Sequence, residues 1–151
     1  MYLRRQFLRS LLLGPVLLSR GLYAANNDMQ VFKDPTCSCC DGWIAHLKAN
    51  GFAVAATEFD AEALRKIKQE HGIPTGLQSC HTAIIESYVI EGHVPADEIK
   101  RLMQERPGAL GLAVPGMPAG SPGMDFGQKE KYAVLLFKQD GSTELYREYP
   151  G

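Results

Sequence analysis

The chain has 151 residues, four cysteines and a formal net charge of −1. The first 25 residues hold four arginines and no acidic residue, so the remaining 126 carry about −5, a balance that argues against nucleic acid as a partner. That remainder is long enough for one domain with a real hydrophobic core.

Taken in chain order, the first segment reads as an export signal. Arg4, Arg5 and Arg9 form a basic head, residues 11–18 form a short apolar run broken by Gly14 and Pro15, and Leu22-Tyr23-Ala24-Ala25 ends in small residues that suit signal peptidase. The apolar run falls far short of the ~20 residues a membrane span needs. Arg4-Arg5-Gln6-Phe7-Leu8-Arg9 is similar to the twin-arginine pattern, with Sec export as the alternative. Residues 1–25 are therefore expected to be removed, leaving 26–151 as one periplasmic domain without a membrane span.

Within that domain residues 30–32 predict a short strand, closed by Asp34-Pro35. The stretch Cys37-Ser38-Cys39-Cys40 follows, and then Trp43, Ile44 and Leu47 recur at helical spacing up to the stop at Asn50-Gly51. A strand is expected over 52–59, a helix capped by Asp60 and ending at His71-Gly72, a strand over 82–86, and another over 88–90. Pro95 opens a further helix through Ile99, Leu102 and Met103. The order β-α-β-α-β-β-α is that of a thioredoxin-like α/β fold. Residues 107–127, with four prolines and six glycines, predict a long functional loop too rich in both for helix or strand. Strands over 132–137 and 143–149 predict an appended C-terminal β-hairpin.

The cysteines carry the chemistry. A second disulfide is awkward, because adjacent Cys39 and Cys40 cannot easily bridge each other and Cys80 can bridge only one of the other three. Cys37 stands just before a helix, where unpaired N–H groups and the helix dipole favour a thiolate. If Cys80-His81 lead into the third strand, Cys80 faces the cluster and four sulfurs converge; Pro74 as a cis-proline would shift that strand. Four thiolates suit a soft cation, whether Cu(I), Zn(II) or an iron–sulfur cluster. Met117 and Met124 in the loop, and His81 and His93 near the same face, favour copper. Each also has a plainer reading: the methionines as hydrophobic cover, and His93 as a surface or hydrogen-bonding residue. His46 and His71 are expected to be solvated and Trp43 to lie in the core.

The stretches "PTCSCC", "SCHTAII", "YVIEGHVPADEI" and "GLAVPGMPAGSPGMDFG" resemble the CopG-type periplasmic copper-resistance proteins, also called the domain of unknown function 411 family. The resemblance implies a thioredoxin-like domain that holds copper in a cysteine-bridged, polynuclear cluster and interconverts Cu(I) and Cu(II). It implies Cys37, Cys39, Cys40 and Cys80 as metal ligands, with His81, His93, Met117 and Met124 as candidate additional ligands. Ser38 stands where the family pattern has glycine. Expected partners are copper ions and a periplasmic copper efflux or chaperone protein. Two other functions compete: a thiol–disulfide oxidoreductase using Cys37 and Cys40, and a non-catalytic copper chaperone. The copper readings assign no catalytic residue.

Overall fold

A computed structural model describes residues 27–151. The expected export signal lies outside the described residues. The structure is mixed α/β, with one seven-stranded sheet and three α-helices among the described residues.

The strand β1 (Asp28–Lys33) alternates buried and exposed positions and leads into α1 (Ser38–Ala49). Trp43, Ile44 and Leu47 form the buried stripe of α1, the i, i+1, i+4 spacing of a helix packed on a sheet. The edge strand β2 (Ala53–Glu58) runs parallel to β1. Next, α2 (Ala61–Glu70) starts where Asp60 accepts a hydrogen bond from the Ala63 amide at 2.8 Å, satisfying an N–H left over at the helix start. A single 3-10 turn (Thr75–Leu77) then precedes β3 (His81–Ile85), which pairs antiparallel with both β1 and β4 (Tyr88–Glu91). Pro74 opens that turn, and no peptide bond among the described residues is cis. Cys80 therefore stands directly before β3.

The helix α3 (Ala96–Glu105) crosses back so that β5 (Gly111–Ala113) lies parallel to β4. The sheet ends with β6 (Tyr132–Phe137) and β7 (Thr143–Tyr149), an antiparallel pair at the far edge. The strand order is β2-β1-β3-β4-β5-β6-β7. Trp43, Leu47, Ile85, Ile90, Ile99 and Leu102 fill the core where the helices meet the sheet.

The strand β5 corrects the expectation that residues 107–127 hold neither helix nor strand. Its first residue explains why composition hid it. A Cβ on Gly111 would lie 1.7 Å from the Val89 carbonyl oxygen, so glycine here permits close strand pairing rather than marking a loop.

Candidate metal centre

The site begins with a helix start. Asp34 accepts from the Thr36 amide and hydroxyl and turns the chain after β1, and Cys37 takes the N-cap position of α1. The Cys40 amide donates to Cys37 Sγ at 3.3 Å, so a helix N–H points at that sulfur. Cys37 and Cys40, one turn apart, are joined as a disulfide, while Cys39 and Cys80 are free. Two of the four sulfurs are thus bridged and two are free thiols.

The end of the 3-10 segment delivers Cys80 to the cluster. Cys39 Sγ lies 3.4 Å from Cys37 Sγ and 3.9 Å from Cys80 Sγ. All four cysteine sulfurs lie within 4.8 Å of one another. Cys80, His81 and His93 form a second group of the same compactness that shares Cys80 with the first. Cys80 Sγ is 3.2 Å from His93 Nε2 and 3.5 Å from His81 Nδ1.

The two histidines are buried, contrary to a surface role for His93. His93 Nδ1 is 2.7 Å from the Pro122 carbonyl, which can only accept, so the proton sits on Nδ1 and the Nε2 lone pair faces Cys80. The His81 ring lies against Trp43 at a 37° tilt with centroids 4.2 Å apart and meets the His93 ring edge at 5.1 Å. Burial holds the pKa of both below the ordinary imidazole value, with His93 and Lys68 lowering His81 further. Both are therefore neutral at neutral pH. Burial, and then Cys39, push the Cys80 thiol up to about 11.

The proline-glycine segment covers this centre. At Gly123 (φ +86°) a Cβ would lie 2.5 Å from the Cys39 carbonyl and 2.6 Å from the Trp43 amide, so the segment's backbone sits directly on the first turns of α1. The Ser79 hydroxyl donates to the Gly116 carbonyl at 2.6 Å and ties the same segment to the residue before Cys80. Met124 is buried under this cover, whereas Met117 is 53% exposed.

Residues the sequence reading missed hold the second half in place. The Glu91 carboxylate is fully buried and accepts from the Ser79 amide at 2.6 Å, Lys68 Nζ at 2.6 Å and the Thr82 hydroxyl at 2.7 Å. Lys68 also donates to Thr82 Oγ1 at 2.9 Å. These bonds fix the chain on both sides of Cys80. Lys68 follows Leu64 by four residues, on the same buried face of α2, and that spacing was the available signal. His46 and His71, expected to be solvated, are half-buried and each has a protein contact. His46 Nε2 accepts from the Ala96 amide at the start of α3, and the His71 ring lies over Phe32. Trp43 is buried as expected and donates to the Val94 carbonyl at 2.8 Å.

A groove of about 370 Å³ lined by Asp34, Arg65, Lys68, Gln78, Ser79 and Cys80 opens beside the centre. A larger one, about 560 Å³, lies elsewhere along β1 and β2 and is lined by no thiol or imidazole.

Comparisons with known proteins give the chain's relatives. A family model described as a protein of unknown function, DUF411, matches residues 77–124, which run from the approach to Cys80 through Met124. No protein with a curated description matches. Two solved structures, Form 1 and Form 2 of the copper resistance protein CopG, are each 42% identical to this chain. Both superpose with TM-scores of 0.76 and 0.75, and each match covers 82% of this chain and 98% of the other. The chain belongs to the CopG family.

Whether this family member's centre suits a soft metal ion can be judged from its own atoms. His81 Nε2 is buried and has no hydrogen-bond partner among the described residues. A buried polar atom left unpaired costs about 1–3 kcal/mol. The other nitrogen of that ring, Nδ1, lies 3.5 Å from Cys80 Sγ, and the side chain is grouped with this free thiol and with a second imidazole whose lone pair faces the same sulfur. Thiols and neutral imidazoles together suit copper or zinc and disfavour hard cations such as Mg²⁺ or Ca²⁺. The residues fit.

Proposed function

We propose that this protein binds copper as its cargo in the periplasm, as part of copper resistance. The ligands are Cys39, Cys80 and His93, joined by Cys37 and Cys40 when these are reduced, with His81 completing the set. In this reading the buried Met124 adds a thioether ligand from the cover, and the exposed Met117 is a further candidate ligand at its outer side. Several sulfurs within bridging distance support a polynuclear site and an interconversion of Cu(I) and Cu(II). The observation that carries the reading is Cys80, which is shared by a sulfur group and an imidazole group of equal compactness.

The same reading takes the core as thioredoxin-like. Support comes from β1 between parallel β2 and antiparallel β3, with β4 beyond, and from the bridged pair at the start of the first helix. The pair β6 and β7 is then an addition at the far edge. Arg4-Arg5 and the small residues at Ala24-Ala25 support export of the chain before it meets copper.

A second reading has its own observation. The Cys37–Cys40 disulfide at a helix N-terminus is what a thiol–disulfide oxidoreductase would carry. Cys39→Ser separates the two. Copper retained per chain, measured anaerobically by metal analysis, should fall sharply in this variant, because serine is a hard and weakly acidic replacement. Reduction of insulin disulfides should change little. Full copper retention would return the protein to the thiol oxidoreductases.

A further inference from the structure

We infer that the Cys37–Cys40 pair is the electron donor of this centre: reduced, it converts two Cu(II) ions to Cu(I) and closes into the disulfide found here. The inference rests on the copper reading above and adds the source of the electrons.

Proximity is the first support. The sulfurs of the pair belong to the same 4.8 Å group as the free thiols of Cys39 and Cys80, so an ion held by the free thiols is in contact with the donor. The second support is what oxidation leaves behind. With the pair closed, Cys39, Cys80, the His93 Nε2 lone pair and the His81 ring, whose Nδ1 lies 3.5 Å from Cys80 Sγ, remain beside the site. Two thiols and two imidazoles remain to keep the Cu(I) that is formed. Oxidation of the donor therefore thins the ligand set without abolishing it. A lone dithiol shuttle has no use for Cys39 and Cys80, and a simple four-thiolate cage has no use for the bridge. Both features are needed if the site must give electrons and then hold the product.

The step balances. Two S–H bonds break and one S–S bond forms; each Cu(II) takes one electron, and two protons pass to solvent. Resetting the pair requires an external dithiol. Its thiolate attacks Cys37 Sγ, the partly exposed member, and expels Cys40, which is buried. The second thiol of the reductant then displaces Cys37. Cys37 leaves as a thiolate at the N-terminus of α1, where the Cys40 amide points at its sulfur.

The test uses reduced, metal-free protein mixed anaerobically with two equivalents of Cu(II) sulfate. Cu(I) is read with bicinchoninate, and thiols are counted by alkylation and mass spectrometry after denaturation in chelator. The expected result is two Cu(I) per chain, a fall from four alkylatable thiols to two, and a bridge mapped to Cys37–Cys40. Bound copper that keeps its full Cu(II) EPR signal, with four thiols still free, would overturn the donor role. So would Cu(I) formed with the bridge mapped to Cys39–Cys80. Both of those results leave copper binding intact, whereas a chain that binds copper in neither oxidation state would sink the copper reading as well.

Discussion

Cys80 is where the chemistry of single residues is most exposed to measurement. Its thiol is pushed up to about 11, first by burial and then by Cys39, so the metal-free protein carries a proton there at neutral pH. His81 and His93 are already neutral, because burial lowers both. On the proposed copper reading, copper must therefore displace the Cys80 proton and need not displace one from either imidazole. The sign follows: affinity rises with pH and keeps rising until Cys80 itself ionises near 11. The proton displaced from Cys80 contributes about tenfold in affinity per pH unit, to which any proton released by the other thiol ligands adds. Competition against a Cu(I) chelator across neutral pH checks this, and a flat profile would contradict it. Cysteines at these positions were legible in the sequence because a thiolate has few substitutes as a soft ligand. Glu91 and Lys68 were not, since a charged side chain normally lies in water and only their mutual pairing makes burial tolerable.

At the scale of elements, two devices hold the centre together, and each can be removed. The first is the cover seated on α1. Gly123 and Gly127 both have φ near +80°, at +86° and +79°, so alanine meets similar backbone strain at either position. They differ in contact: a Cβ at Gly127 meets nothing within 4 Å, whereas at Gly123 it strikes the backbone of α1. Gly123→Ala should therefore cost about 1–3 kcal/mol more than Gly127→Ala in urea unfolding, and it should also lower copper retention. Equal losses would mean that the cover does not press on the helix. The second device is the Lys68–Glu91 pair that bridges α2 to the strands. Glu91→Ala strands a buried ammonium and the Ser79 amide, and should destabilise by about 3–5 kcal/mol. A double variant, Lys68→Met with Glu91→Gln, should recover part of that loss, because no unpaired charge is left buried. A Glu91→Ala loss below about 1 kcal/mol would show that the pair is solvated.

The elements differ in how plainly the sequence announces them. The helix stripe of α1, the Asp60 cap and the last two strands follow from periodicity and capping chemistry, and they lie close to where those signals put them. The strand β5 gave no such signal. Three residues are too few for alternation, and its glycine answers to the Val89 carbonyl on a neighbouring strand, a long-range fact. The same holds for His46. Its acceptor role depends on how α1 meets the start of α3, a contact fifty residues away in sequence.

Across the whole molecule, the sheet brings distant parts of the chain to one place. The start of α1 supplies three cysteines, the residue before β3 supplies the fourth, and the turn after β4 supplies His93. The segment between β5 and β6 closes over them. Strand order thus makes one centre from residues 37 to 124, and no single stretch of sequence contains it. The measurement that tests this most directly is X-ray absorption at the copper edge on copper-loaded protein. The expected spectrum shows sulfur scatterers together with imidazole multiple scattering, and His93→Gln should weaken the imidazole part while sulfur remains. A shell of oxygen or nitrogen alone, unchanged by Cys39→Ser or His93→Gln, would contradict a copper centre built from these residues.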